Sequence, residues 1–237
     1  MGPRSRPNGG SGLGSATACR GTSCPKRSGT SGGERSRPDR LDPGKLIEPD
    51  ERPRPGSHRT TLVLAGRSVD TLADLPPTRG RLLFVGLNPS PVSVAAGHYH
   101  QGRLGRRFWQ RLVRAGILPA GTAPETADDA LVAAGHGITD LLKEVSARDV
   151  ASEATLRAGV GPLWQKIALW RPAAIVFVYH RAAEIAAGRR LTERLGQLEG
   201  IALAGRPCFL MPGPYAPRDE VDEGLTVLRN LLASLPS

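Results

Sequence analysis

Two short apolar runs constrain the fold of this chain more than any other feature of its sequence. The run RLLFVG occupies residues 81–86, and AAIVFVY occupies residues 173–179. Runs of this length, rich in β-branched residues, are typical of strands buried on both faces. Such strands occur in parallel sheets with helices on both sides, so the sequence predicts an α/β domain.

Weaker patterns predict the remaining elements of the domain. Apolar runs predict further strands or turns at 61–66, 137–142 and 206–212. Helical patterns occur at 70–77, where Pro76 and Pro77 end a single turn, and at 106–116, 124–135, 152–172, 180–188, 190–198 and 219–234. Thr122 and Ser152 are the expected N-caps of the helices that follow them. Together these elements predict a three-layer α/β/α fold with a central, mostly parallel sheet of about four strands.

The first sixty residues differ in composition from the rest of the chain. They contain twelve Lys and Arg residues against six Asp and Glu, and so carry +6 of the total formal charge of +10. Gly, Ser, Pro and Arg dominate this segment, which cannot bury enough apolar surface to offset the entropy lost on ordering. We therefore expect residues 1–59 to be a disordered basic tail and residues 60–237 to form the domain. The charge indicates a polyanionic partner, although GC-rich codon usage enriches the same residues whatever the function.

Composition also bears on the cellular compartment. We find no apolar run that could span a bilayer, and no signal peptide with a charged start and an apolar middle. The three cysteines favour a reducing compartment, and they are too few for a zinc or iron–sulfur site built from thiolates alone. We expect a cytoplasmic protein with no metal or other cofactor and no membrane partner.

The predicted sheet indicates where a ligand would bind. In parallel α/β folds, ligands lie outside the carboxyl ends of the strands. Three loops leave such ends: LNPSPVS at 87–93, YHRAAE at 179–184 and PGPYAPRDE at 212–220. The first and third are rich in Pro, Gly and small polar residues, so we expect these two loops to form the walls of one site.

Four segments of the chain resemble the mismatch-specific uracil/thymine DNA glycosylases. They are LLFVGLNPSPVSVAAGHYHQG followed by RRFWQRLVRAGIL, GHGITDLLKEVSARDVA, LRAGVGPLWQKIALWRPAAIVFVYHRAAE, and FLMPGPYAPR. The likeness covers about residues 70–235, in the family's order and at nearly its spacings. The chain departs from the family at Ser90, where a Gly is usual, and at Arg106, where an Asn is usual. It has one extra residue between His100 and Phe108, and its last loop has lost the family's Asn-Pro-Ser-Gly or Met-Pro-Ser-Ser form.

The resemblance implies a uracil-DNA glycosylase-like fold and a monofunctional DNA glycosylase that acts as a monomer. Such an enzyme flips uracil or a related mismatched or damaged pyrimidine, for example from a U:G or T:G pair, and hydrolyses its glycosidic bond to start base excision repair. Uracil, thymine, hypoxanthine and ethenocytosine all fit this expectation, in double-stranded or single-stranded DNA, and a bacterial chain would associate with the nucleoid. A non-catalytic DNA- or RNA-binding protein on the same scaffold is the alternative. An unrelated nucleotide-handling enzyme finds no support, because no Gly-rich phosphate loop is present.

The resemblance also implies roles for single residues near the first motif. Asn88 would hold the attacking water at the sugar, although an Asn there could equally cap the turn before Pro89. His100 stands where the family stacks an aromatic ring on the flipped base. The residues expected around the base are Leu87, Ser93, His98, Tyr99, His100, Thr139 and Asp140. For Asp140 a turn or cap role is an equal alternative.

The last loop and an arginine cluster are the expected DNA contacts. Residues 212–218 match the family's insertion loop, with Tyr215 as a wedge and Arg218 gripping the orphan base or a phosphate. A stiff turn that joins strand to helix is the alternative. The expected DNA-binding residues are Arg103, Arg106, Arg107, Pro212, Gly213, Pro214, Tyr215 and Arg218, with Arg111 beside the first three arginines. Trp109, Trp164 and Trp170 are expected in the core.

Overall fold

The computed structural model describes residues 56–146 and 151–235, so nearly all of the predicted tail, including Cys19 and Cys24, lies outside the described residues. The packed structure begins slightly earlier than the predicted boundary at residue 60. His58 is only 4% exposed, and its backbone N–H donates to the Gly97 carbonyl at 2.7 Å. Residues just before Thr60 are therefore part of the domain.

A five-stranded sheet lies at the centre of the molecule, with the strand order β4–β3–β5–β7–β6. Its members are β3 (Leu82–Gly86), β4 (Gly137–Asp140), β5 (Ala174–Phe177), β6 (Gly196–Leu203) and β7 (Arg206–Leu210). Strands β4, β3, β5 and β7 are parallel, and β6 pairs antiparallel with β7 at one edge. The predicted mostly parallel sheet is confirmed, with one more strand than expected.

A separate antiparallel hairpin precedes the sheet. Strand β1 (Arg59–Leu64) pairs with β2 (Arg67–Leu72), and the residues between them, Ala65 and Gly66, both have positive φ. Two residues with positive φ are typical of the type I′ turn that suits the twist of a hairpin. The helical turn predicted at 70–77 is wrong, because residues 70–72 pair with β1 and Leu75 bridges to Ile138.

Helices cover both faces of the sheet in the part of the chain that the structure describes. They are α1 (Pro91–Ala96), α2 (Gly102–Arg114), α3 (Ala127–Ala133), α4 (Glu153–Ala158), α5 (Val160–Trp170), α6 (His180–Ala187) and α7 (Arg218–Ala233), with a 3₁₀ turn at Pro124–Thr126 before α3. One cluster of buried side chains packs α2, α3 and α7 against one face, and a second packs α4, α5 and α6 against the other. This arrangement confirms the three-layer prediction.

Several predicted helices differ in detail from the structure. Ser152 caps α4 as predicted, since its side chain accepts from the Thr155 N–H, but the predicted helix 152–172 is divided into α4 and α5 at Gly159. Thr122 is not a cap, because its hydroxyl donates to the Pro119 carbonyl instead. The helix predicted at 190–198 is wrong, since the chain from Gly196 onward pairs with β7.

The tryptophans divide between core and surface. Trp109 and Trp170 are fully buried as predicted, whereas Trp164 on α5 is 47% exposed, so the prediction for it is wrong. None of the described helices combines the length and the apolar character needed to cross a bilayer.

Candidate active site

A cavity of about 590 Å³ opens at the carboxyl ends of β3, β4 and β5. Its walls are the loop after β3 with α1 and the start of α2, the last residue of β4, and residues 179–181 after β5. The position at the strand ends agrees with the expectation for a parallel sheet. The second wall differs from the sequence prediction, because the loop after β5 lines the cavity and the loop at 212–220 does not.

Asn88 lies at the mouth of this cavity, two residues beyond the end of β3. Its Nδ2 donates to the Pro89 carbonyl at 3.2 Å and to the Ser146 carbonyl at 3.3 Å. Both amide hydrogens are thereby engaged, so the orientation of the side chain is fixed. Oδ1 has no hydrogen-bond partner among the described residues and is free to accept from water.

Ser90, the departure from the family motif, has a local structural role. It is the N-cap of α1, and its Oγ accepts from the Ser93 N–H at 3.2 Å. Ser93 is buried and lines the cavity, but its Oγ accepts from Ser90 Oγ and from the Gln101 N–H. Ser93 therefore shapes the loop, and its oxygen already accepts two hydrogen bonds.

His100 forms an inner wall of the cavity. Its ring centroid lies 4.4 Å from that of Phe108 and 6.1 Å from that of Tyr179. Its φ is +50°, which is a left-handed conformation. This conformation is unfavourable for residues with a side chain, and it is typical of functional sites. Burial lowers the pKa of His100 to about 4, so the imidazole is neutral at physiological pH.

Asp140 ends β4 and reaches the same cavity. Gly86 permits this, because a Cβ there would clash with Asp140 Oδ1 and lie 3.7 Å from Cε1 of His100. Burial raises the pKa of Asp140 to about 7, with the nearby Asp74 carboxylate also raising it and the Lys143 and Lys166 ammonium groups opposing the shift. At neutral pH this carboxyl group is therefore divided between its protonated and ionised forms.

Two buried polar atoms in this cavity lack partners among the described residues. They are Nε2 of His100 and Oδ2 of Asp140. A buried polar atom without a hydrogen bond costs about 1–3 kcal/mol. Since both belong to cavity-lining side chains, a ligand with polar edges would satisfy them.

Three residues expected around the base have other partners. Thr139 is buried outside the cavity, where its hydroxyl donates to Asp74. Tyr99 lines the cavity, but its hydroxyl donates to the Ala73 carbonyl and accepts from Lys143. The ring of His98 is not in the cavity wall, and its Nδ1 lies 2.8 Å from Oδ1 of Asp128.

A buried ionic network lies behind Tyr99. The Asp74 carboxylate forms ion pairs with Nζ of Lys143 at 2.5 Å and with Nζ of Lys166 at 2.7 Å. Lys166 also donates a hydrogen bond to the Thr139 hydroxyl. Burial by itself would raise the pKa of Asp74, but the two lysines outweigh it and hold that pKa well below its usual range. The network joins the segment after β2 to β4 and α5. It thus explains why Thr139 has a structural partner.

The loop at 212–218 is braced by two of the four arginines predicted to bind phosphates. Arg107 donates to the Pro214 carbonyl at 3.2 Å, and Arg111 donates to the Pro212 and Gly213 carbonyls. These contacts engage part of each guanidinium group, and the predicted phosphate contacts of Arg107 and Arg111 stay predictions. The tip of the loop projects outward, with Tyr215 77% exposed and the Arg218 side chain 92% exposed.

The rim beside the cavity is exposed and carries both charge and apolar surface. Arg103 and Arg106 are exposed on α2, and neither forms an ion pair within the described ranges. Leu104 on α2 and Val92 on α1 are exposed apolar side chains that also line the cavity. This surface combines positive charge with exposed apolar area, which suits a polyanion.

The cavity contains residues that the sequence analysis did not select. Tyr179, His180 and Arg181 form the wall after β5, although their loop had been recognised as leaving a strand end. Burial raises the pKa of Tyr179 to about 12, so its hydroxyl remains protonated. The available signal was the position of this loop at the carboxyl end of β5. It was passed over because the sequence analysis favoured the two loops that are rich in Pro and Gly.

Comparison with known proteins agrees with this geometry. The uracil DNA glycosylase superfamily matches residues 73–220, well over half of the chain, and the match includes every residue that lines the cavity except Leu72. No curated protein shows a significant match to the chain. The chain belongs to the uracil DNA glycosylase superfamily, which gives it a DNA glycosylase-like function with DNA as its partner.

Proposed function

We propose that this protein flips uracil, or a chemically related mismatched base, out of DNA into the cavity and hydrolyses the N-glycosidic bond. U:G and T:G pairs are the proposed substrates. One observation carries the proposal: His100 and Asp140 line the same cavity as Asn88, and each has a buried polar atom without a partner among the described residues. Pockets of a few hundred cubic ångströms with a few converging polar groups are typical small-molecule sites.

The protonation of Asp140 supports a uracil-type base. A protonated carboxyl group offers one donor and one acceptor, which complement the O4 acceptor and the N3–H donor of uracil or thymine. An ionised carboxylate offers acceptors only, and its charge opposes the negative charge that develops on the leaving base. Because burial raises the pKa of Asp140 to about 7, the protonated form is accessible at neutral pH.

Asn88 is proposed to position the attacking water. Oδ1 would accept one hydrogen bond from that water, while Nδ2 stays fixed on the Pro89 and Ser146 carbonyls. The bond between C1′ and the base breaks with its electron pair passing to the base, the water oxygen bonds to C1′, and the water proton leaves to solvent. An amide is not a base at neutral pH, so the rate enhancement rests on positioning and electrostatics.

The surface around the cavity is proposed to bind and distort the duplex. Tyr215 at the tip of the braced loop would fill the space left by the flipped nucleotide. Arg218 on that loop, with Arg103 and Arg106 on α2, would contact the orphan base or the phosphates. The rigidity of the loop follows from the contacts that Arg107 and Arg111 make with its carbonyls.

A base-release assay on a panel of substrates tests this proposal. Oligonucleotides that contain uracil, thymine opposite guanine, hypoxanthine or ethenocytosine, each in duplex and single-stranded form, are incubated with the full chain. We expect uracil release that leaves an intact abasic strand, because no Lys lines the described cavity to form a Schiff base with the sugar. Binding without release from any substrate would favour a non-catalytic DNA-binding protein, and a borohydride-trapped adduct would contradict a monofunctional mechanism.

A further inference from the structure

A second cluster of polar side chains lies outside the cavity. It brings together His58, before β1, His98, in the loop before α2, and Asp128 and Asp129, in the first turn of α3. Each offers one potential ligand atom, and these four atoms lie within 4.8 Å of one another. The His58 and His98 rings meet edge to face with their centroids 5.5 Å apart. Three separate parts of the chain thus converge on one point.

The distances within this cluster are short. His58 Nε2 lies 2.8 Å from Oδ1 of Asp129 and 3.9 Å from Oδ2 of Asp128. His98 Nδ1 lies 2.8 Å from Oδ1 of Asp128. His58 Nε2 therefore faces both carboxyl groups, whereas His98 Nδ1 faces only that of Asp128.

The cluster is also buried and contains two carboxyl groups. The Asp128 side chain is fully buried, and those of His58, His98 and Asp129 are 3%, 14% and 17% exposed. No Lys or Arg forms an ion pair with either carboxylate in the described part of the chain. Backbone N–H groups of Tyr99 and Asp129 donate to Asp128, and that of Gly56 donates to Asp129. These bonds stabilise the carboxyl groups, whose side-chain partners among the described residues are the two histidines.

We propose that this cluster is a structural zinc site with His58 Nε2, His98 Nδ1 and one oxygen each from Asp128 and Asp129 as ligands. Four nitrogen and oxygen donors complete the tetrahedral set of a closed zinc site. Two imidazoles favour zinc over magnesium or calcium, which prefer oxygen ligands alone. A divalent cation also balances the two carboxylates.

The geometry needs only small adjustments to admit the ion. Bonds of about 2.0–2.2 Å place tetrahedral ligand atoms roughly 3.4 Å apart. The two 2.8 Å contacts would therefore open, and any pair that lies farther apart, up to the 4.8 Å limit of the cluster, would close.

The site would fasten the start of the domain to the loop that carries His100. Residue 58 lies outside the part of the chain that matches the superfamily, whereas His98 is two positions before His100. The backbone bond from His58 to Gly97 already joins the same two segments. The ion would hold this loop in place and would take no part in the hydrolysis.

Metal analysis of the purified full chain tests the proposal. The untagged protein is equilibrated with Zn²⁺, freed of loosely bound metal with a weak chelator, and analysed by mass spectrometry of the elements. We expect about one zinc per chain, and a Co²⁺-substituted form with the visible absorption of tetrahedral coordination. His58→Gln and Asp129→Asn should each lose most of the bound zinc.

Matched variants separate this site from other sources of metal. Glu223→Gln removes an exposed carboxylate from α7 and should keep the zinc. Cys19→Ser/Cys24→Ser removes the thiols of the tail and should also keep it. Zinc should raise the melting temperature of the wild type relative to EDTA, and it should not do so for Asp129→Asn, because a ligand stabilises only a fold that binds it.

Two results would overturn the zinc site. One is a wild-type chain that melts cooperatively but retains less than about a tenth of an equivalent of zinc, where a closed site should be nearly filled. The other is undiminished zinc in folded Asp129→Asn. The first outcome would show a purely hydrogen-bonded cluster, and the second would show that the bound zinc does not use Asp129.

Discussion

Asn88 and Asp140 are the residues on which the proposed chemistry depends most directly. Asn88 is fixed by two backbone carbonyls on one side and faces the cavity mouth on the other. Asp140 is buried beside His100 with one oxygen unpartnered. Neither arrangement is needed to complete the sheet, since the strand pairing of β3 and β4 is made by the backbone. Their placement is therefore better explained by a ligand.

Asn88→Ala should slow base release while leaving DNA binding intact. Loss of one positioned polar group of this kind costs about 10²- to 10³-fold in rate. The measurement is single-turnover release from a uracil-containing duplex, with binding followed by fluorescence anisotropy.

The same substitution on α7, Asn230→Ala, removes an exposed amide and serves as the control. Because Asn88 also contacts the Ser146 carbonyl, melting temperatures are compared so that a loss of fold is recognised. Release at the wild-type rate by folded Asn88→Ala would remove Asn88 from the mechanism.

Asp140 should make uracil release sensitive to pH. With a pKa of about 7, the carboxyl group is mostly protonated at pH 6 and mostly ionised at pH 8. We expect kcat/KM to fall about tenfold across that interval, because the donor to O4 disappears as the proton leaves. Asp140→Asn keeps a donor and an acceptor at every pH, so its profile should be flat over this range.

Stability provides an independent check on the state of Asp140. A carboxyl group whose pKa is higher in the folded state contributes its full stabilisation below its pKa in the unfolded state. For Asp140 the unfolded value is 3.8, and the contribution is lost as pH rises through about 7. Asp140→Asn should therefore be more stable relative to wild type at pH 8 than at pH 5. Parallel melting curves for the two proteins across that range would contradict the raised pKa.

At the scale of elements, helix α2 and the loop at 212–218 act as one unit. Arg107 and Arg111 extend from α2 to three consecutive carbonyls of the loop, at residues 212–214. These two arginines thus form a brace that fixes the loop, and their predicted phosphate contacts stay predictions. The alternative in which the loop is only a stiff turn leaves Tyr215 unexplained, because its ring is exposed and packs under no helix.

Tyr215→Ala should impair release from duplex DNA far more than release from a single strand. Extrusion of a base from a duplex costs a few kcal/mol, and an inserted ring recovers part of the lost stacking. We expect the duplex-to-single-strand rate ratio to fall about tenfold, equivalent to about 1.4 kcal/mol of lost stacking. Trp164→Ala, which removes an exposed aromatic ring from α5, should leave the ratio unchanged. Equal losses on both substrates would exclude the wedge.

At the scale of the whole molecule, the buried parallel strands were the most predictable part of the fold. The runs that form β3 and β5 are apolar over their full length. Such a pattern can be recognised without knowing which strands lie beside it. The edge strand β6 was missed because its alternating burial and its glycines carry a weak local signal. The hairpin strand β2 was missed because its identity depends on pairing with β1.

The candidate site was predictable to the extent that it lies on a recognisable motif. Asn88 and His100 could be selected from the loop after β3, and Asp140 from the end of β4. The partners of Thr139 and His98 could not be predicted from the sequence. Asp74 lies 65 residues from Thr139, and Asp128 lies 30 residues from His98. The expectation of no metal rested on the number of cysteines. The His and Asp residues of the second cluster lie up to 71 residues apart, so they form no motif that is visible in the sequence.

Residues 1–55 are expected to contribute to function through their charge. Residues 1–55 contain eleven Lys and Arg residues against six Asp and Glu, and they precede His58 and the packed domain. A chain that begins at residue 56 should therefore keep its melting temperature and its base-release chemistry. Its affinity for DNA should fall, because each lost phosphate contact lowers the slope of log affinity against log salt by about 0.9.

Anisotropy titrations at several salt concentrations measure that slope for the full chain and for the chain lacking residues 1–55. Loss of even three contacts would change it by about 2.7, well above the error of such measurements. Arg103→Gln/Arg106→Gln in the full chain provides the comparison, because both side chains are exposed on α2 and should lower the slope by their own share. If the tail and the rim bind phosphates independently, the two reductions add in the combined variant. An unchanged slope after deletion would show that the tail does not contact DNA, and the exposed arginines of the domain would then account for the electrostatic part of binding.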